Sequence, residues 1–141
     1  MVSSGSKAVG GDAARVLRVG VVGAGVMGTN HGRVLAGLPG IEMGGIVDPL
    51  AEHRTRAENL IGCKTWADLD GLLNAGVDAV TIAAPTHLHH EVALACIAKG
   101  IHVLVEKPVA STVEEGREIV AAAKKAGVTL MIGHVAVSYT H

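Results

Sequence analysis

The sequence predicts an α/β fold, a doubly wound parallel sheet with helices packed on its two faces, and three observations point there. Short apolar, β-rich segments alternate with helix-period segments from residue 17 to residue 133, a rhythm that calls for crossover connections and parallel strands. The clearest strand segment, Val77 to Ala84 (VDAVTIAA), is apolar almost continuously rather than alternately, as a strand covered on both faces is. The third is composition: hydrophobic residues make up 49% of the 141-residue chain and charged residues 18%, while Trp66 and Tyr139 are its aromatics and 19 residues are glycine. A core built from such residues is aliphatic and close-packed, and the length fits one domain.

The elements follow in order. Residues 1–15 (MVSSGSKAVGGDAAR) read as a flexible leader, without the apolar block of a signal peptide. Leu17 to Val22 (LRVGVV) is the first strand and turns at Gly23 into a helix whose inward face, by spacing, holds Met27, His31, Val34, Leu35 and Leu38. Pro39-Gly40 stops that helix, and Ile41 to Val47 forms a second strand ending at Asp48-Pro49. Residues 51–60 read as an exposed helix, followed by Gly62, a short strand near Cys63 to Thr65, and a brief helix capped by Asp68. Val77 to Ala84 ends at Pro85, and a helix from about Leu88 to Lys99 closes with Gly100, placed for a left-handed cap. Ile101 to Val105 leads into Glu106-Lys107-Pro108. Thr112 and Glu115 form a capping box for a helix reaching about Ala126 before Gly127. Val128 to Ile132 is the last strand, and Gly133-His134 follows it. The folded domain is therefore placed at residues 16–135, with 136–141 as a tail.

Charge and composition narrow the partners. Twelve basic and 13 acidic residues leave a formal charge of −1, and no run of Lys or Arg is present to track a phosphate backbone, so no nucleic-acid partner is expected. No window of about 18 apolar residues exists for a membrane span, and no membrane association is expected. Cys63 and Cys96 match no metal-ligand spacing and suit a reduced, cytoplasmic setting.

The chemistry concentrates where strands end. Gly23-Ala24-Gly25-Val26-Met27-Gly28 is a G-x-G-x-x-G sequence directly after a strand and at the opening of a helix, which turns a weak pattern into a dinucleotide-binding one. There Gly23 makes the sharp turn, Gly25 lets a diphosphate approach the backbone, Gly28 allows close helix–strand packing, and the amides of the opening turn, Val26 and Met27 included, face the phosphates. Asp48 closes the second strand 20 positions after Gly28, where a carboxylate accepts from the adenosine ribose hydroxyls; an Asp-Pro pair also simply starts turns. A 2′-phosphate would meet that carboxylate, so NAD is expected ahead of NADP. Arg54 and Arg56, the nearest cations, read as part of a solvated helix face.

RVGVVGAGVMGTNHGRVL, VDP, IAAPTHLHHEVALACIAKGIHVLVEKP and GHV together resemble the glucose-fructose oxidoreductase/inositol dehydrogenase/MocA family, over about residues 17 to 135. The resemblance implies a Rossmann-type domain binding NAD(H), in an oxidoreductase acting on a hydroxyl or carbonyl of a sugar, nucleotide sugar or cyclitol. It gives Lys107 of the Glu106-Lys107-Pro108 triplet a place beside the nicotinamide and the substrate, as the catalytic residue, with the Lys107–Pro108 bond expected to be cis. A surface lysine before a turn proline is the plainer alternative. Glu106 becomes a contact of the nicotinamide ribose or a partner of the lysine. In Ala84-Pro85-Thr86-His87-Leu88-His89, the loop after the fourth strand, Ala84, Pro85, Thr86 and His89 are implied to touch the cofactor, with Thr86 standing where the family often has Asn. His134 matches a histidine near the nicotinamide, though a structural histidine fits as well. No metal is expected: His87, His89 and His90 sit at adjacent helix-start positions that splay apart.

Past His134 the pattern departs from the family, because Ala136-Val137-Ser138-Tyr139-Thr140-His141 replaces the usual lead into a substrate domain. The chain is thus expected to be truncated before that domain, which in relatives supplies an Asp-x-x-x-His pair and an oligomerisation sheet, so a homo-oligomer is expected of the full-length form. A non-catalytic module that senses NAD(H) or docks on a partner stays open as the alternative, as does an amino-acid dehydrogenase of similar nucleotide fold.

Overall fold

A computed structural model describes residues 16–133 and the strand at 135–138. Seven strands form one sheet: β1 (Leu17–Val22), β2 (Ile41–Val47), β3 (Thr65–Trp66), β4 (Ala79–Ile82), β5 (His102–Val105), β6 (Thr129–Ile132) and β7 (Val135–Ser138). Their order is β3-β2-β1-β4-β5-β6-β7, parallel through β6, with β7 antiparallel to β6. The helices are α1 (Val26–Ala36), α2 (Ala51–Ile61), α3 (Leu69–Ala75), α4 (His89–Ala98), preceded by a 3₁₀ turn at Thr86–Leu88, and α5 (Val113–Ala126).

Two differences from the sequence reading concern the chain after β6 and the short strand before α3. Val135–Ser138, read as the end of the domain and the start of a tail, pairs along the whole of β6. The strand placed near Cys63 to Thr65 lies at Thr65–Trp66, two residues long. Elsewhere local chemistry sets the boundaries. Asp68 caps α3 by accepting from the Gly71 N–H at 3.1 Å, and Thr112 caps α5 by accepting from the Glu115 N–H at 3.1 Å. α2 and α5 end on Gly62 and Gly127 in the left-handed conformation, and Gly100, just past α4, has φ +74°.

The core lies on both faces of the sheet. On one, Val21, Ala24, Ile46 and Ala57 gather with Leu35 and Ile61 under α1 and α2. On the other, Leu72, Val80, Ile82, Cys96, Ile119 and Leu130 belong to the larger cluster beneath α3, α4 and α5. β4 is the central strand that its unbroken apolar run implied, with Val80, Thr81 and Ile82 all buried.

α1 corrects the periodicity reading. Of its expected inward face, Met27, Val34 and Leu38 are exposed, and Leu35 alone packs on the core. The buried residues are Gly28, Thr29 and Gly32. The helix docks through residues with little or no side chain: a Cβ on Gly32 would come 2.8 Å from Ile61 Cδ1. Small residues let the helix axis approach the sheet, and that approach brings the mouth of α1 down onto the strand ends.

Candidate functional site

The sheet register sets the strand ends in one row. Val22 pairs with both Val47 and Ile82, Ile82 with Val105, and Val105 with Ile132. The residues that follow, Gly23, Asp48, Ala83, Glu106 and Gly133, therefore stand side by side along one rim. Strand order reverses between β1 and β4, the place where open α/β sheets hold ligands. A cleft of about 850 Å³ opens there. Of the residues singled out from the sequence, all line it except Val26, Gly28 and His134; His134 lies outside the described residues. His53, Leu50 and Leu69 also line it. They were not legible in the sequence: α2 was read as an exposed helix and it is Asp48 that draws Leu50 and His53 over the rim, while Leu69 opens α3, whose place in the sheet order no local pattern showed.

The glycine turn divides its work among three positions. Gly23 has φ +106°, and a Cβ there would come 2.8 Å from the Ala83 carbonyl, so this turn demands glycine on two counts. A Cβ on Gly28 would fall within the Gly23 carbonyl oxygen, so the helix rests directly on the turn. Gly25 differs: its backbone is extended at φ −70° and ψ −165°, and a Cβ would meet nothing within 4 Å. The space in front of Gly25 is open to the cleft. Gly23 N–H donates to Val47 O and Ala24 N–H to Asp48. Val26 and Met27, the first helical residues, have no intrahelical acceptor, and with Gly25 they present amides at the positive end of the helix. A cradle of this shape fits a diphosphate.

Asp48 holds the other wall and is 7% exposed. Its Oδ2 accepts from Ala24 N–H at 2.8 Å and lies 3.1 Å from His53 Nδ1, while Oδ1 accepts from Leu50 N–H at 2.9 Å. Burial by itself raises a carboxyl pKa, but the bonds from Ala24, Leu50 and His53 outweigh it and hold Asp48 below the ordinary carboxylate value. The group is an anion fastened to the glycine turn. A carboxylate has about four acceptor positions and these donors take three, leaving one for a ligand hydroxyl. Arg54 and Arg56 stand on the solvent side of α2 as expected, and each also reaches the rim: Arg54 donates to Asp48 O at 2.8 Å and Arg56 to Ala24 O at 3.2 Å. Both guanidinium groups fold back on the rim.

At the opposite end stand Glu106 and Lys107, with the Lys107–Pro108 peptide cis. Lys107 is exposed, and its aliphatic stem crosses Gly133, where a Cβ would come 3.2 Å from Cγ and 3.4 Å from Cε. Glu106 Oε2 is 3.8 Å from His31 Nε2 on α1. The neighbouring histidines of α4 diverge. His89 is buried with its ring nitrogens facing Ala84 O and Pro108 O, whereas His90 reaches Glu118 on α5 at 2.6 Å. The site thus offers amides for a diphosphate, a fixed anion at one end and an ammonium at the other.

A family model described as oxidoreductase family, NAD-binding Rossmann fold, matches residues 17–134. The chain belongs to that family. This NAD-binding Rossmann chain is 34% identical over 119 residues to a UDP-N-acetylglucosamine 3-dehydrogenase of Acidithiobacillus ferrooxidans, covering 84% of itself and 37% of that protein. It is 40% identical over 114 residues to an inositol 2-dehydrogenase of an Arthrobacter species, covering 79% and 34%. Its fold superposes on the crystal structure of GenD2 from gentamicin A biosynthesis in complex with NAD with a TM-score of 0.81 and 34% identity, covering 92% of this chain and 37% of that one. The chain spans little more than a third of the length of these relatives. Among the described residues no helix is long and apolar enough to cross a membrane.

Proposed function

We propose that this chain is the cofactor-binding part of a dehydrogenase that interconverts a hydroxyl and a carbonyl on a sugar, nucleotide sugar or cyclitol, with NAD(H) as redox partner. One observation carries the reading: a single cleft runs from the Asp48 anion, past the amides of the glycine turn, to Lys107. The dehydrogenase names of the relatives, on a nucleotide sugar and on inositol, support a catalytic protein over a sensing or docking module.

A nicotinamide bound in the cleft supplies the hydride donor or acceptor. The chain's residues do the rest. The amides of Gly25, Val26 and Met27 hold the diphosphate, with Gly23 and Gly28 shaping the turn beneath. Asp48 offers its remaining acceptor position to the adenosine ribose and repels a 2′-phosphate. Ala84, Pro85 and Thr86 form the wall along the dinucleotide, and Glu106 meets the nicotinamide ribose or pairs with the lysine. The Lys107 ammonium holds the substrate oxygen, balances the charge that grows on it as carbinol and carbonyl interconvert, and shares its proton. His134 keeps its place on the nicotinamide side through the resemblance alone.

Two further proposals stand on less. The thiols of Cys63 and Cys96 are both unpaired, which suits the cytoplasm. The full-length form is proposed to be a homo-oligomer on the family resemblance. Calorimetric titration of the chain with NADH and NADPH tests the central reading: NADH is expected to bind more tightly, and failure of both to bind defeats it.

A further inference from the structure

We infer that His89 is a positioning residue: it latches the loop after β4 to the loop that carries Lys107, and it does not bind the cofactor through its ring nitrogens. The inference deepens the dehydrogenase reading and rests on it for the role of Lys107, while the latch itself is a property of the unliganded chain.

The β4–β5 ladder ends at the pair Ile82–Val105. Beyond that pair the two strands run into loops that together make one end of the cleft, Ala84-Pro85-Thr86 on one side and Glu106-Lys107 on the other. His89, the first residue of α4, stands between them and is 3% exposed. Nε2 lies 2.8 Å from Ala84 O and Nδ1 lies 3.1 Å from Pro108 O. Both ring nitrogens are aimed at backbone oxygens of the protein. The bond that joins the two loops is Nδ1–H to Pro108 O, while Ala84 O faces Nε2, so neither nitrogen is left for a dinucleotide. Pro108 is the residue after Lys107, so the bond to its carbonyl fixes the base from which the lysine extends.

The far side of the same segment is fixed independently. Gly133 N–H donates to Val105 O at 2.8 Å, and the Lys107 stem lies along Gly133. Lysine carries its ammonium on a four-carbon stem with free rotation, so the placement of its base governs where the charge arrives. A shift of about 1 Å at a reacting group lowers rates on the order of 100-fold. With His89 on one flank and Gly133 on the other, the ammonium enters the cleft from a defined root.

The test uses the full 141-residue chain, with native-state hydrogen exchange in the absence of nucleotide and titrations with NADH and with ADP-ribose, which lacks the nicotinamide. In His89→Phe, which keeps a buried ring and removes both nitrogens, the amides of Leu88 and Gly133, which bond Pro85 O and Val105 O on either side of the latch, are expected to exchange about tenfold faster or more, with those of α1 unchanged. NADH affinity is expected to fall while ADP-ribose affinity stays within about twofold, and His89→Gln, which retains a donor, is expected to fall between. Unchanged exchange at Leu88 and Gly133 overturns the latch. Weaker NADH binding with unchanged exchange shows a direct ligand instead. Where His89→Phe does not fold, the parent decides: a slowly exchanging Nδ1–H of His89 in the ¹⁵N–¹H spectrum supports the latch, and a ring without a protected Nδ1–H overturns it. A parent chain that binds neither nucleotide sinks the dehydrogenase reading, while the exchange comparison still judges the latch.

Discussion

Replacing Gly25 by alanine separates folding from binding more cleanly than any other change at this site. The residue sits at φ −70° and ψ −165°, which alanine adopts freely, and a Cβ there meets no atom within 4 Å. The fold should therefore accept the methyl group; lower chain entropy in the unfolded state even favours it by about 0.4–1 kcal/mol, raising Tm by a few degrees. The same methyl group projects where a diphosphate must approach the amides of Gly25, Val26 and Met27. Weakening two charge-assisted hydrogen bonds, each of about 1.5 kcal/mol, removes roughly 3 kcal/mol, or on the order of a 100-fold loss of NADH affinity. Calorimetry gives the affinity and a thermal melt the stability. Gly28→Ala is the contrasting control: its Cβ would fall within the Gly23 carbonyl oxygen, a backbone atom that cannot step aside, so about 3 kcal/mol of stability and roughly 10 °C in Tm should be lost. If Gly25→Ala binds NADH within twofold of the parent, the diphosphate does not lie on this turn. If it melts well below the parent, the open space in front of Gly25 is misjudged.

Other outcomes follow from the same geometry. Asp48 has a folded-state pKa below its unfolded value, so its contribution to stability is complete above the unfolded carboxyl pKa of about 3.9 and is lost as pH falls through the lower, folded value. Denaturant melts should show the Asp48→Asn chain losing less stability than the parent as pH falls from 5 to 3; parallel losses would exclude the carboxylate as a source of the acid limb. NADH should bind at least tenfold more tightly than NADPH, since Asp48 is a fixed anion, and a preference for NADPH in competition titrations would mean that Arg54 and Arg56 govern that end. In the dehydrogenase proposed above, Lys107→Met should lower kcat by about 10²–10⁴-fold with NADH affinity little changed, and an unaltered kcat would remove the lysine from the chemistry.

How much of this was legible in the sequence depends on what kind of residue carries each feature. Helix ends were legible, because Asp68, Thr112 and Gly127 act on their own few neighbours. The central strand was legible because an unbroken apolar run needs cover on two sides. The inward face of α1 was not: periodicity counts apolar side chains, and this helix docks through Gly28, Thr29 and Gly32, which add little or nothing to such a count. β7 escaped because a four-residue strand at a sheet edge is defined by its partner β6 rather than by its own pattern. At the site, the residue types at the strand ends were visible, but their connections were not. The Arg56 to Ala24 bond spans 32 positions, and a charged helix reads as solvated until the fold brings a carbonyl beneath it. The same applies to His89, whose two partners belong to different loops.

The contact between Gly23, Gly28 and the Ala83 backbone has an evolutionary consequence. Main chain lies against main chain there, so no choice of rotamer can widen the floor of the cleft, and almost every substitution in it breaks the fold before it alters recognition. Selection for a different nucleotide would have to act on the periphery, at Leu50, His53, Arg54 and Arg56, where side chains rather than peptide planes meet the solvent. Divergence in this lineage should therefore be written in the first two turns of α2, with the floor inherited unchanged.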